Sequence, residues 1–280
     1  TEPAEDLNSL LHLSRTPASQ IRKEIVLADM QYAADHLPEF DEYSSNDAGR
    51  ISRSTAIGMM AKVYLFEKDY AKCAELCKTL YSEGKRGLLN QYADVFDSKY
   101  NNSKESLLAI QSLIEKKESP AQTTCYGDFT EDDDSPYNNG SAIAPLLPFA
   151  SYYVPKEDQW YETENDNRWG FNFRLASESK YKELIDGTGT SAKHLGAGIK
   201  YKGEIVRMPY IVKFCDVNNR RPDRSGTSLN FPILRWSDVL LMYAEALNEQ
   251  GNTGEAFTYI NEVRKRAYTN KDNTLNPGWE

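Results

Sequence analysis

Two segments of this 280-residue chain repeat the same apolar pattern at a fixed offset, and this repeat constrains the fold more than any other feature. Each segment reads as two amphipathic helices joined by a short turn, with apolar residues on one face of each helix. The matched positions are Ala61 and Ala244, Tyr64 and Leu247, Cys73 and Ala256, Cys77 and Ile260, and Leu80 and Val263. Small residues at the first and third positions let two helices approach closely, and the larger ones fill the gap.

This order of small and large residues is typical of tetratricopeptide repeats. The hairpins are predicted at about 52–84 and 235–268, and Gly84 suits the left-handed position that ends a helix. One hairpin cannot bury its own apolar face, so about three units are needed for stability. Only two are visible, and a helix predicted at about 18–37 supplies half of another. The predicted fold is therefore all-α, with tetratricopeptide-like hairpins and a long irregular loop region.

The first helix places Ile21, Ile25, Ala28, Tyr32 and Ala33 at helical spacing, with Ser19 as its N-cap and Pro38 as its end. Shorter helices are predicted at about 90–97 and 177–186. The apolar run 106–113 is compatible with a strand or a helix. The chain thus divides into a helical scaffold (18–114), an irregular region rich in Gly, Pro and aromatic residues (115–232) and the second hairpin (233–268).

Composition excludes several functions. The chain has 33 Lys and Arg against 42 Asp and Glu, a net charge of −9, which argues against nucleic acid as a partner because phosphate binding depends on cations. The chain contains no apolar run of about 18 residues, which is the length needed to span a bilayer. The three histidines are widely separated and no zinc motif is present. Cys73 and Cys77, four residues apart on one helix face, are predicted to be core residues rather than a disulfide.

Carboxylate clusters in the irregular region have simple explanations. Glu162, Glu164 and Asp166 could form a catalytic pair of the glycosidase type, but clusters of this kind are expected by chance among 42 acids. An acidic turn lies near Asp132 and Asp134, and an irregular calcium site there is the less favoured alternative. The sequence thus predicts no enzymatic activity and no cofactor.

The irregular region contains the strongest candidate for a ligand site. Residues 126–173 hold 11 aromatic side chains, about twice the density of the whole chain, interleaved with Asn and Arg. Flat rings pack against sugar faces, and amide or guanidinium groups bond to hydroxyls. The alternative is that the rings pin a long loop to the helices. The predicted ligand residues are Trp160, Trp169, Tyr161, Tyr137, Tyr126, Asn139 and Arg168.

The stretch 235–248, RWSDVLLMYAEALN, followed by INEVRKRA at 260–267, closely resembles the signature of the SusD/RagB family. Three further elements match the family's sequences in the same order along the chain: Thr16-Pro17, Gly49-Arg50 and the segment 61–65. The element 164–168, ENDNR, is similar to the family's Asp-Pro-Arg motif, with Asn in place of Pro. The resemblance extends over nearly the whole chain.

The resemblance implies a non-catalytic, surface-exposed outer-membrane lipoprotein of Bacteroidetes. Such a protein binds oligosaccharides and passes them to a SusC-like, TonB-dependent barrel, and its only membrane attachment is a lipid on an N-terminal cysteine. Family members are nearly twice as long, so this chain is expected to be the central part of one. The family's ligand residues have no motif that can be transferred. A peptide- or glycoprotein-binding family member and a tetratricopeptide adaptor remain alternatives.

Overall fold

A computed structural model describes residues 15–113, 166–168 and 228–277, together with the backbone of four short segments at 173–175, 200–201, 204–205 and 209–211. The helix predicted at 177–186 lies outside these residues. Within the described ranges, no helix is both long enough and apolar enough to cross a bilayer.

Among the residues that the structure describes, six α-helices form the scaffold, and both predicted hairpins are confirmed. The helices are α1 (Ala18–Ile21), α2 (Leu27–His36), α3 (Arg53–Phe66), α4 (Tyr70–Glu83), α5 (Trp236–Glu249) and α6 (Thr253–Ala267). Residues in the turns explain where these helices begin and end. The Asp69 carboxylate accepts the Lys72 backbone N–H at the start of α4, and Gly84 ends α4 in the left-handed region at φ +65°. Gly251, at φ +84°, makes the corresponding turn between α5 and α6.

The second hairpin stacks directly on the first, although more than 150 residues separate them in the chain. Helix α5 packs against α3 and α4, while α3 pairs with α4 and α5 with α6. Ala61 and Ala244 are fully buried, as are Cys73 and Cys77. Both cysteines are free thiols, so the prediction that they are core residues is confirmed. Small side chains at these points allow the close helix contact that the repeat pattern requires.

The first predicted helix is present, but its packed face differs from the predicted one. It runs from α1 through a π-helical turn (Arg22–Val26) into α2, with Pro17 rather than Ser19 before its first residue. The side chains that pack against α3 include Leu27, Met30, Ala33 and Ala34. Ile21, Ile25 and Tyr32 are 39%, 54% and 67% exposed. The helix carries apolar residues on two faces, and of the five predicted residues Ala33 alone belongs to the face that packs against the core.

A two-stranded antiparallel ribbon joins the hairpins. The ambiguous run at 106–113 forms strand β1 (Ser106–Ile110), which pairs with β6 (Phe231–Arg235). The ribbon packs on α3 at Gly58, where an added Cβ would come within 3.0 Å of Leu107 and Leu234. The remaining strands form two further antiparallel pairs, β2 (Phe173–Leu175) with β5 (Pro209–Ile211), and β3 (Lys200–Tyr201) with β4 (Glu204–Ile205). The helix predicted at 90–97 is reduced to a 3-10 turn at Ala93–Phe96.

In the described part of the chain, two buried ion pairs hold loops to this scaffold. Arg266 of α6 donates from Nη1 to both carboxylate oxygens of Glu105, at 2.5 and 2.6 Å, and both side chains are buried. Arg86 lies 3.3 Å from Glu39 and also donates to the hydroxyls of Ser52 and Ser54. Burial lowers the pKa of Arg86 to about 10, so it remains charged at neutral pH and needs these partners.

Candidate functional site

Most of the predicted ligand residues lie outside the part of the chain that the structure describes. These are Tyr126, Tyr137, Asn139, Trp160, Tyr161 and Trp169, so their role stays a prediction. The same holds for the calcium hypothesis at Asp132 and Asp134. Across the described residues, no group of three or more His, Cys, Asp and Glu side chains is placed to hold a metal ion. Arg168 is described.

Arg168 is held by its own loop. Its guanidinium donates to both carboxylate oxygens of Asp166, from Nε at 3.0 and 3.1 Å and from Nη2 at 2.6 Å. These hydrogen bonds raise the pKa of Arg168, which fixes it as a cation. The side chain is still 43% exposed. Asp166 therefore holds Arg168 in one orientation at the surface and neutralises its charge.

The segment around Arg168 is docked on the loop that follows α6. Asn167 donates from Nδ2 to the carbonyl of Thr269 at 2.9 Å and accepts from Nδ2 of Asn276 at 3.2 Å. Asn270 bonds in turn to Asn276 at 2.8 Å, and its carbonyl accepts from Gln91. Residues 166–168 of the predicted aromatic segment are therefore attached to the loop that follows the second hairpin.

A second anchor consists of four amide side chains, here called the amide cluster: Asn101, Asn102, Gln111 and Asn230. Asn230 donates from Nδ2 to Gln111 at 2.9 Å and to Asn102 at 3.2 Å, while Asn102 and Gln111 exchange two hydrogen bonds of 3.0 Å. Amides form such networks because each carries both a donor and an acceptor. The cluster thus holds the chain just before residue 113 to the chain just after residue 228.

Backbone geometry supports the amide cluster. Asn102 adopts a left-handed conformation, at φ +57°, which Asn tolerates better than most residues. Gly49, at φ +91°, lies so close that an added Cβ would come within 2.6 Å of Gln111 and 2.8 Å of Asn102. The positive φ favours glycine at this position, and the close approach places the loop between α2 and α3 against the cluster.

A small cleft opens beside the amide cluster, with a cavity volume of about 20 Å³, room for about one water molecule. Its lining residues come from the 3-10 turns, the loop before β1, and both strands of the ribbon: Val95, Tyr100, Asn101, Asn102, Ser103, Glu105, Ser106, Ala109, Asn230, Pro232 and Arg235. Tyr100 is 42% exposed, whereas the Arg235 side chain is only 19% exposed. The cleft therefore combines an aromatic ring, amides, hydroxyls and a guanidinium.

Sequence reasoning did not identify this cleft. It used Arg235 only as the first residue of a helical signature, and it gave no role to Tyr100, Asn102 or Asn230. The one local signal was the polar stretch YNNS at 100–103, which follows a region without helical periodicity. Residues 228–230 lie next to this stretch only because β6 pairs with β1, and more than 120 residues separate those two strands.

Stacked helical hairpins joined by an antiparallel ribbon define a helical-repeat protein. The chain belongs to the SusD family, whose profile matches residues 98–276. It is 29% identical to SusD-like protein P25 of Formosa agariphila over 96% of this chain and 51% of that protein. A SusD-like protein of Bacteroides ovatus is 27% identical over 90% of this chain and 45% of its own length. The chain spans about half the length of the curated relatives it matches.

Solved structures agree on the fold. A crystal structure with xylogluco-oligosaccharide is 26% identical, with a TM-score of 0.58 over 97% of this chain and 55% of that one. Surface glycan-binding protein A from Bacteroides thetaiotaomicron, in complex with laminarihexaose, is 19% identical, with a TM-score of 0.55 over 90% and 54%. Proteins of the SusD family bind glycans and are not catalysts. The predicted family and helical fold class are confirmed.

Proposed function

We propose that this chain belongs to a cell-surface protein that binds oligosaccharides without chemical turnover and delivers them to a TonB-dependent transporter in the outer membrane. The observation that carries the proposal is the 26%-identical solved structure with xylogluco-oligosaccharide, which aligns over 97% of this chain. The family assignment supports the same function.

The proposed ligand surface is the aromatic segment at 126–173, with Trp160 and Trp169 as principal rings. Two anchors support this proposal, because a binding loop is most effective when a rigid scaffold positions it. The amide cluster ties together the chain on both sides of residues 114–227, and Asn167 docks on the loop after α6. Arg168, oriented by Asp166, presents part of its guanidinium group at the surface, and it is next to Trp169 in the sequence.

Glycan binding is tested on the full-length protein, first on a glycan array and then by isothermal titration calorimetry with the best oligosaccharide. Hot-spot aromatic residues cost about 2 kcal/mol or more when truncated, so Trp160→Ala or Trp169→Ala is expected to weaken binding at least about tenfold. Tyr32→Ala, on the exposed face of α2, serves as the control. Unchanged affinity in both Trp variants would place the binding surface elsewhere, and loss of helical circular dichroism would identify the rings as loop anchors.

Delivery to a transporter requires a protein partner and a surface location. We expect affinity isolation of the full-length protein from outer membranes to recover a SusC-like, TonB-dependent receptor. We also expect protease added to intact cells to remove the protein, which a lipid on the N-terminal part of the full-length protein would hold at the surface. Absence of the receptor would contradict the uptake role while leaving glycan binding intact.

A further inference from the structure

We infer that a helix encoded before residue 15 in the full-length protein lies along the outer side of the first helix, which runs from α1 to α2, and completes a third tetratricopeptide unit with it. The surface that this partner covers, here called the outer stripe, consists of Ile21, Ile25, Ala28 and Tyr32. Three properties carry the inference: the position of α2 in the stack, the apolar character of the outer stripe, and the charges that flank it.

The stack gives α2 the position of a second helix in its unit. Helix α4 is the second helix of the first hairpin, and it packs both on α3, its own partner, and on α5, the first helix of the next hairpin. Helix α2 packs on α3 as α4 packs on α5, and both pairs are antiparallel, since Arg22 contacts Glu67 and Gln250 bonds to the Tyr70 carbonyl. No helix among the described residues takes the place beside α2 that α3 takes beside α4. Because the first helix of a unit directly precedes the second, the missing partner is encoded before residue 15.

The outer stripe is apolar and faces away from the core. Its four residues follow one another at spacings of four, three and four, which places them along one side of a helix. Ile25 and Tyr32 are 54% and 67% exposed, whereas Met30 and Ala34, on the opposite side, pack against the core. A helix with apolar residues on both sides is typically buried on both. The outer stripe is therefore the face on which a second helical neighbour is expected.

The length of the relatives favours a partner helix from the same protein. The chain spans 51% of SusD-like protein P25 and 45% of the Bacteroides ovatus relative, so about half of each relative has no counterpart in it. A tetratricopeptide unit of two helices has about 34 residues, and about three units are needed for stability. A helix in the same chain also meets the outer stripe at a high effective concentration, which favours it over a second copy or a separate protein.

Acidic side chains flank the outer stripe and indicate the chemistry of its partner. Helical spacing places Glu24 and Asp35 on one side of it and Asp29 on the other, and all three are exposed. Within the described part of the chain, Glu24 and Asp35 accept hydrogen bonds from glutamine amides, and none of the three carboxylates forms a salt bridge. Complementary charge then requires cations on the partner. The partner is therefore an amphipathic helix with Lys or Arg beside its apolar face.

The test measures how fast a maleimide labels cysteines introduced into the purified full-length protein, after subtraction of the labelling of the parent protein. We expect Ile25→Cys and Tyr32→Cys each to react at least about tenfold more slowly than Glu75→Cys, because labelling of a covered site waits for local opening. Glu75 is the matched control, since its side chain on helix α4 is 63% exposed. The three rates are expected to become equal in urea. Two sites on the outer stripe keep the test valid if one variant is poorly folded.

Equal labelling rates at the three sites in the native protein would overturn the inference. Protection that is lost on dilution would overturn it as well, because the outer stripe would then be covered by a second copy. Protection found only in outer membranes would assign the stripe to a separate partner, with the same consequence. The charges are checked with Asp29→Lys, which is expected to speed the labelling of Ile25→Cys at least about threefold by repelling a cationic partner. An unchanged rate would contradict the Lys or Arg residues expected on that helix. Glycan binding plays no part in these measurements, so their result is independent of the proposed function.

Discussion

The buried pair of Glu105 and Arg266 provides the sharpest test of how the two halves of the scaffold are held together. Arg266 lies at the end of α6, whereas Glu105 immediately precedes β1, so the pair joins residues 161 positions apart. Glu105 is 1% exposed and Arg266 is 6% exposed. The substitution Arg266→Met removes the cation and leaves the carboxylate buried, with the Leu89 backbone N–H at 2.7 Å as its remaining described donor.

Breaking one side of a buried ion pair typically costs about 3–5 kcal/mol, because the remaining charge is left uncompensated. With an m-value near 3 kcal/mol per M, this loss lowers the urea midpoint by about 1 M or more. The measurement is equilibrium urea unfolding followed by far-UV circular dichroism. Arg53→Met is the matched control, since Arg53 pairs with Glu83 at 2.8 Å on the surface. An exposed pair of this kind contributes at most about 1 kcal/mol.

The double variant Glu105→Gln, Arg266→Met distinguishes a charge effect from a packing effect. Gln keeps an acceptor for the Leu89 N–H but removes the buried charge, so we expect it to recover much of the stability lost in Arg266→Met. Two results would refute the reasoning: a loss below about 1 kcal/mol in the single variant, or a double variant no more stable than the single one.

Two further predictions address helix packing and tyrosine ionisation. Replacing Ala61 or Ala244 by Leu overpacks a fully buried helix contact and is expected to cost about 1–3 kcal/mol; calorimetric melting that is unchanged in both variants would contradict the close contact. The hydrogen bond that Tyr81 donates to Glu262 at 2.6 Å, aided by burial, raises the pKa of Tyr81 to about 12. Its contribution to stability is therefore complete below pH 10 and is lost as the pH rises through about 12. Tyrosinate absorbance should show that Glu262→Gln lowers this pKa, with Tyr81→Phe identifying the signal, and an unshifted titration in Glu262→Gln would contradict the assignment.

The hairpins were predictable because their information is local. Apolar residues at a period near 3.6 determine which face of each helix is buried, and Asp69, Gly84 and Gly251 mark its ends. The repeat of small residues at Ala61 and Ala244 also predicted close helix contacts. The family signature at 235–267 lies within this same locally encoded part of the chain.

Local sequence patterns did not predict the structure where packing against a distant element decides the outcome. The first helix carries apolar residues on opposite faces, and Ile25 and Tyr32 remain exposed because α3 packs on the side of Met30 and Ala34. The run 106–113 is apolar enough for either a helix or a strand. It became β1 because β6 supplies a partner from more than 120 residues away.

The sequence likewise predicted only the local features of the candidate site. The sequence indicated that rings and amides are concentrated at 126–173, and it included Arg168 among the ligand residues. It gave no sign that Asp166 holds that arginine, or that Asn167 docks on the loop after α6.

The sequence by itself determined the helices, the repeat and the family, because each depends on residues within a few turns of one another. Only the tertiary structure decided the joining of the hairpins through Glu105 and Arg266, the amide cluster and the cleft at Arg235. These features consist of polar side chains that lie far apart in the chain. A polar residue leaves no periodic trace of the partner that satisfies it, since its hydrogen bonds are set by which loops the packed helices bring together.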